Sequence, residues 1–291
     1  MSNDTAFLEI RRLSKVFVKD KSVFRKNSGN VAALTDVGFV VREGEILGVV
    51  GESGCGKSTL GRCMLRLIEP TGSEVLYRGR NLMELSREEM RLMRTKLQMI
   101  FQNPYASLNP RMTVRELIRS PLDVFSVGAE QEREAKVFEM IEHVGMNENQ
   151  LRRYPHEFSG GQLQRIVIAR ALILNPEFIV CDEAVSAPDV SVRSQVLNLM
   201  KYLQLRFGLT YLFISHDLSV VRHLCDYVMV GGAYARKIPK AVTYGMSVSN
   251  RWKPEDPGRG DGHQPDEYVD VNMLLDGLRI YIKALAAISN L

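Results

Sequence analysis

No run of apolar residues long enough to cross a bilayer, about 18 or more, occurs in this 291-residue chain. The opening residues Met1-Ser2-Asn3-Asp4-Thr5 lack the charged and apolar regions of a signal peptide. The expectation is a chain that neither spans a membrane nor is exported. Cysteine is scarce: Cys55, Cys63, Cys181 and Cys225 include no C-x-x-C pair. Two of them fall within motifs described below, where a disulfide would distort the backbone, so all four are read as reduced thiols of the cytosol. An excess of one charge is missing too. The 38 Lys and Arg are interspersed with 34 Asp and Glu for a net charge of +4, which gives no case for nucleic acid. What remains is an ordinary globular composition, 45% hydrophobic and 25% charged, sufficient for a substantial core.

Against that background one run stands out. Gly51-Glu52-Ser53-Gly54-Cys55-Gly56-Lys57-Ser58-Thr59 fits the phosphate-cradling pattern G-x-x-x-x-G-K-[ST]. Its context fits as well. Ile46-Leu47-Gly48-Val49-Val50 reads as a buried strand, and a helical run from Lys57 to Leu67 stops before Pro70. Glycines allow successive backbone N–H groups to close around phosphate oxygens, and the helix start adds partial positive charge. Lys57 is placed to span the β- and γ-phosphates, and Ser58 to offer a hydroxyl to Mg²⁺. Cys55 in this loop reads as a small space-filling residue, with an oxidisable thiol as the alternative.

Around this motif the chain alternates strand and helix. Residues 7 to 50 carry short alternating apolar runs, such as Phe7-Leu8-Glu9-Ile10 and Val37-Gly38-Phe39-Val40-Val41, interrupted by a polar loop from Lys19 to Asn30; they predict an antiparallel β region. Leu85 to Lys96 reads as helix and Leu97 to Phe101 as strand. From Thr113 to about Arg153 the apolar spacing is helical, which predicts a helical subdomain inserted in an α/β core. Strands at Phe178–Cys181 and Thr210–Ile214, separated by a helix from Ser191 to Phe207, then imply a parallel sheet.

Further polar groups fall at the right ends of these elements. Phe178-Ile179-Val180-Cys181-Asp182-Glu183 is an apolar strand ending in two acids, the pattern in which the first carboxylate reaches Mg²⁺ and the second faces the attacking water. Ligands are expected at such strand ends. Ser159-Gly160-Gly161-Gln162 opens a helix through Leu163, Ile166, Val167, Ala171 and Leu172. Two glycines at a helix start let backbone donors approach an anion, and a plain N-cap at Ser159 is the alternative.

The succession of P-loop, Gln102, Ser159-Gly160-Gly161-Gln162, Asp182-Glu183 and Ser215-His216-Asp217 resembles the nucleotide-binding subunit of an ABC transporter, over residues 7 to 230. Phe101-Gln102-Asn103-Pro104-Tyr105-Ala106-Ser107-Leu108-Asn109-Pro110 is similar to the oligopeptide and dipeptide importer branch. The resemblance implies an ATPase that binds ATP and Mg²⁺ on a P-loop NTPase core of ABC type. That core would carry an N-terminal antiparallel β subdomain and an inserted helical subdomain at about 111–158. In this resemblance Glu183 orients water, Asp182 and Ser58 hold Mg²⁺, and Gln102 senses Mg²⁺ and the lytic water and couples the site to membrane subunits. His216 contacts the γ-phosphate, and Phe17 stacks on adenine, with core packing of Phe17 and a role for Phe24 as rivals. Ser159 and Gly161, within the 159–162 motif, bind the γ-phosphate held by an opposing subunit, so that hydrolysis needs a dimer with itself or a related ATPase. The implied partners are membrane permeases and, indirectly, a solute-binding protein. The implied place is the cytoplasm, peripheral on the inner face of the cell membrane. Two other readings stand beside it: an ABC-type ATPase of a soluble complex, such as those of phosphonate breakdown, or a regulatory nucleotide-binding half.

The pattern breaks twice. Ser186-Ala187-Pro188-Asp189 has proline where the family usually has leucine, which fixes φ and removes an N–H in a loop that touches the partner in relatives. After Val230 a Gly- and Pro-rich segment predicts irregular structure to about Asp270. Tyr268, Val271, Leu275, Leu278, Ile282 and Leu285 then recur at helical spacing. Residues 231–291 are therefore read as an atypical C-terminal extension, irregular and then helical, with no iron–sulfur centre.

Overall fold

A computed structural model of the chain describes residues 6–18, 30–51, 53–185, 189–231 and 245–247. Strands β1 (Leu8–Phe17) and β2 (Val31–Val41) pair antiparallel, with Leu8 opposite Val41 and Phe17 opposite Val31. Strand β4 (Gly72–Tyr77) flanks the other edge of β1, and the short β5 (Arg80–Asn81) returns along β4. The turn between them is tight because Arg78 and Gly79 both take positive φ, 46° and 80°, the hairpin geometry that matches strand twist.

The second sheet has the order β10-β9-β3-β8-β7-β6, from β3 (Ile46–Gly51), β6 (Leu97–Ile100), β7 (Phe178–Asp182), β8 (Thr210–Ser215), β9 (Tyr227–Gly231) and β10 (Gly245–Ser247). Only the β10–β9 pairing is antiparallel. Every residue of β3, β7 and β8 is buried, as expected for parallel strands covered on both faces. Their side chains alternate between two cores. Leu47 and Val49 join Val180, Leu212 and Ile214 against the antiparallel sheet and α1 (Lys57–Met64). Ile46 and Val50 join Ile179, Tyr211 and Phe213 on the opposite face.

That opposite core also contains the helices α4 (Val114–Val124), α5 (Glu130–His143), α6 (Gly160–Leu172) and α7 (Val190–Phe207). Thr113 and Glu116 form a capping box at the start of α4. Arg119 of α4 is held by Glu130 and Glu134 of α5, which fixes the pair side by side. Three further α-helices among the described residues, α2 (Arg87–Met93), α3 (Pro104–Ser107) and α8 (Leu218–Leu224), are short connectors.

Tyr77 of β4 and Arg78 donate to the Glu177 carboxylate at the start of β7, and Lys96 pairs with it from 2.8 Å. Burial works to raise the Glu177 pKa, but these donors bring it down from an ordinary 4.5 to about 2. Burial, aided by this hydrogen bond, pushes the Tyr77 hydroxyl up to about 12. The cluster ties the antiparallel sheet to the parallel one at the start of β7, the end of that strand away from Asp182.

Several expected bounds shift. Helix α1 ends at Met64 rather than Leu67 because Arg66 takes the left-handed conformation, φ 51°, which a helix cannot continue through. The helix expected over 85–96 is confined to Arg87–Met93 by the Ser86–Glu89 capping box at its start. Strands β4 and β5 are additions to the expected elements, and β10 falls within the segment read as irregular. Phe24, Glu52, the 186–188 stretch with its proline and the proposed terminal helix lie outside the described residues.

Candidate functional site

The carboxyl ends of β3, β8, β7 and β6 lie side by side, and each delivers a polar group. β3 runs into the loop 51–56, whose last residue, Gly56, starts α1 at φ 99°. A Cβ there would stand 2.4 Å from the Ala33 carbonyl oxygen, so only glycine lets the loop close against β2. Among the described residues no side chain caps α1, leaving its N-terminal dipole facing the loop. Lys57 is buried, and its Nζ donates to the Gly51 carbonyl at 2.7 Å and lies 3.7 Å from the Cys55 sulfur. Ser53 and Gly54 are exposed at the tip, while Cys55 and Thr59 are half-buried.

One residue further along α1, Ser58 Oγ donates to Asp182 Oδ1 at 2.7 Å. Asp182 ends β7 and is 2% exposed. Two hard oxygen donors thus meet at the base of the loop, the donor chemistry that suits Mg²⁺. Arg62, one helical turn after Ser58, places Nη2 3.7 Å from the other Asp182 oxygen. The reading of the motifs missed Arg62, although its i+4 spacing from Ser58 puts both on one helix face.

Glu183 follows Asp182 with φ 49°, a left-handed conformation uncommon for a residue with a side chain. Its backbone N–H donates to the Ile214 carbonyl at 3.0 Å, which holds it against β8. In this pose the carboxylate lies between two neighbours. Gln102, just past β6, donates to Oε2 at 2.6 Å, and His216 Nδ1, just past β8, stands 3.3 Å from Oε1. Gln102, Glu183 and His216, far apart in sequence, are therefore one cluster beside the Ser58–Asp182 pair. Arg193 of α7, also missed, lies behind it and pairs with Asp217 at 2.6 Å.

Ser159, Gly160, Gly161 and Gln162 are placed elsewhere, at the head of α6. Ser159 is the N-cap: its hydroxyl accepts from the Gln162 N–H, and the Gln162 side chain accepts from the Ser159 N–H at 3.1 Å. The helix-cap reading is thus correct as geometry, and it leaves Ser159 and Gly160 exposed. A Cβ on Gly161 would meet Val192 at 2.5 Å, whereas one on Gly160 would meet nothing within 4 Å. Phe17, at the end of β1, is 40% exposed with the Lys15 ammonium 5.2 Å from its ring centre, so it is not core.

A groove of about 740 Å³ opens between β6 and the helices, lined by Arg62, Phe101, Gln102, Pro121, Phe125 and Arg170 among others. Gln102 therefore borders both the Glu183 cluster and this groove. Among the described residues no helix is long and apolar enough to cross a membrane.

Residues 34–186 match the family model described as ABC transporter. The chain is 52% identical over 230 residues to the oligopeptide transport ATP-binding protein AppF of Bacillus subtilis, covering 79% of this chain and 70% of that protein. It is 50% identical over 230 residues to the dipeptide transport ATP-binding protein DppF of Haemophilus influenzae, with coverage of 79% and 70%. Among solved structures, the ADP- and phosphate-bound dimer of the ATP-binding cassette MJ0796 superposes with a TM-score of 0.67 at 28% identity, covering 77% of this chain and 94% of that one. The strand-end carboxylates, the phosphate loop and the relatives lead to one assignment: this chain belongs to the ABC transporter family and is an ATP-binding, ATP-hydrolysing cassette of it.

Proposed function

We propose that this cassette powers a multi-subunit importer of oligopeptides, dipeptides or solutes of similar size, working as one of a head-to-tail pair of cassettes. The observation that carries the reading of the site is the clustering of Glu183, Gln102 and His216 beside Ser58–Asp182. The identity of about half to peptide-transport ATP-binding proteins supports the cargo class. We assign residues 7–230 to the cassette, with 111–158 as its inserted helical subdomain and 231–291 as an extension.

Hydrolysis of a triphosphate by water needs positioning and charge stabilisation more than covalent chemistry. In this reading residues 51–59, Glu52 included, wrap the phosphates with backbone N–H groups, and Phe17 offers its exposed ring to the adenine. Lys57 leaves the Gly51 carbonyl to neutralise the β- and γ-phosphates. Ser58 and Asp182 would hold Mg²⁺, which when bound screens phosphate charge. Glu183 orients the attacking water and takes up its proton, while the phosphorus–oxygen bond to ADP breaks and inorganic phosphate leaves. His216 steadies the γ-phosphate, and Gln102 reports nucleotide state to the groove it borders. Ser159, Gly160, Gly161 and Gln162 serve the nucleotide of the opposing cassette, which fits the exposure of Ser159 and Gly160 at the head of α6.

The groove beside Gln102 is the docking place we assign to a membrane permease. This places the cassette peripherally on the cytoplasmic face of the membrane, with a solute-binding protein acting through the permease. Purification from membranes through a tag on this chain tests it. The reading expects hydrophobic permease subunits to co-purify, and ATP turnover by the assembly in vesicles to rise when peptide-loaded binding protein is added. An assembly of soluble proteins only, with turnover indifferent to peptide, would contradict it.

A further inference from the structure

Asp217 follows His216 and grips its surroundings with both carboxylate oxygens. Oδ1 caps α8, accepting from the Ser219 N–H at 2.9 Å and from its hydroxyl at 2.6 Å. Oδ2 accepts from Arg193 Nη1 at 2.6 Å. The Asp217 N–H donates to Ser215 Oγ at 3.0 Å, closing a tight turn whose apex is His216. The Ser219 hydroxyl first, and Arg193 with it, holds the Asp217 carboxyl below the ordinary carboxylate range. His216 itself is 62% exposed, and its ring meets Glu183. So exposed a ring is not aimed by packing, which leaves the turn beneath to set it.

Arg193 is the part of that support that comes from outside the turn. It sits in the first turn of α7, one helical turn after the N-cap Asp189, and lines a small cavity of about 70 Å³ together with Glu183, Val185, His216 and Asp217. Its guanidinium thus reaches beneath the Glu183–His216 pair from the helix that follows the 186–188 stretch. An ion pair with both side chains about a quarter to a third exposed contributes little to global stability. Its geometric consequence is larger, because misplacing a catalytic group by about 1 Å can cost 10²-fold in rate.

We infer that Arg193 is a positioning residue for hydrolysis: through Asp217 it fixes the turn that aims His216 at Glu183, and it ties that aim to the start of α7. The inference rests on the proposed roles of Glu183 and His216, so its test carries Glu183→Gln as a control in the same preparation. ATP hydrolysis by the cassette with its partner cassette is measured for Arg193→Ala, Arg193→Lys, Asp217→Asn and the Arg193→Ala/Asp217→Asn pair, alongside nucleotide affinity and thermal melting. Asparagine still caps a helix, so Asp217→Asn removes the charge pair and spares the cap.

The expected result is a loss in kcat of about tenfold for Arg193→Ala and for Asp217→Asn. KM and nucleotide affinity stay within about twofold, Arg193→Lys recovers most of the rate, and the pair is no worse than either single change, the signature of two residues acting as a unit. If Arg193→Ala and Asp217→Asn both keep wild-type kcat while Glu183→Gln is inactive, the inference is overturned and the roles of the catalytic cluster stand. It is equally overturned if melting falls while the folded protein keeps its kcat. Should Arg193→Ala fail to fold, Asp217→Asn decides alone. Wild-type turnover by Glu183→Gln would instead remove the reading of the site itself.

Discussion

Lys57 and Asp182 lie buried beneath the phosphate loop, whereas Ser159 and Gly160 stand exposed at the head of α6. Both regions pair glycine with a helix start, yet they are built for different neighbours. The first is closed by its own chain: Gly56 packs on Ala33, Lys57 reaches Gly51, and Ser58 meets Asp182. The second satisfies only itself, through the Ser159–Gln162 capping box. Of its glycines, Gly161 is pressed against Val192 while Gly160 faces open space. A helix N-terminus with its glycine clear of obstruction is ready to receive an anion. On this account that anion is held by another cassette, as the dimeric arrangement of a related cassette supports.

Disabling each region separately should give different failures. Lys57→Ala should weaken nucleotide binding by the isolated chain at least about 100-fold, since it removes a buried charge that, in the proposed reading, serves the phosphates directly; fluorescence titration with a labelled ATP reads this. Glu183→Gln should leave that affinity within about threefold and reduce turnover by about 10² to 10³, measured as phosphate release. Gly160→Asp should do something neither of these does. Because a Cβ there meets no described atom within 4 Å, melting and single-chain nucleotide binding should stay unchanged. Turnover of the paired cassettes should fall at least about tenfold, because a negative charge opposes the incoming phosphate.

The smallest effect concerns the buttress at the start of β7, the end of that strand away from Asp182. Glu177, with its pKa depressed from 4.5 to about 2, contributes stability that is fully present above about pH 4.5 and lost as pH falls toward 2. Its partial exposure limits the contribution to about 1 kcal/mol. Thermal melting across that window should show a fall that Glu177→Gln flattens, with the Ser159 region indifferent to the change.

What the sequence disclosed follows the same division. The phosphate loop, the acids ending β7 and the glycine pair before α6 are local devices, readable because strand, turn and helix signals adjoin them. The parallel sheet followed from alternation, since β3, β7 and β8 are short continuous apolar runs. The hairpin of β4 and β5 was not legible. Gly72–Tyr77 mixes polar and apolar residues, and β5 is a two-residue edge. Helix α1 was overrun because nothing in Leu65-Arg66-Leu67 announces a left-handed arginine. Arg62 and Arg193 were hidden for another reason. Each is defined by a partner distant in the chain, Asp182 and Asp217: spacing sets Arg62 on the Ser58 face of α1 without naming what that face meets, and Arg193 carries no such mark. The left-handed φ of Glu183, which turns its carboxylate toward Gln102 and His216, is likewise a product of tertiary placement.

One triphosphate shared between two cassettes, with the buried loop on one side and the exposed head of α6 on the other, underlies all of these expectations. Sedimentation of the Glu183→Gln chain, mixed with the second cassette of its transporter or alone, with and without ATP and Mg²⁺, tests this most directly. The predicted result is a two-cassette particle that forms only with ATP and that Gly160→Asp abolishes. A chain that stays single with nucleotide bound, while the unaltered protein hydrolyses ATP at full rate as a monomer, would contradict it.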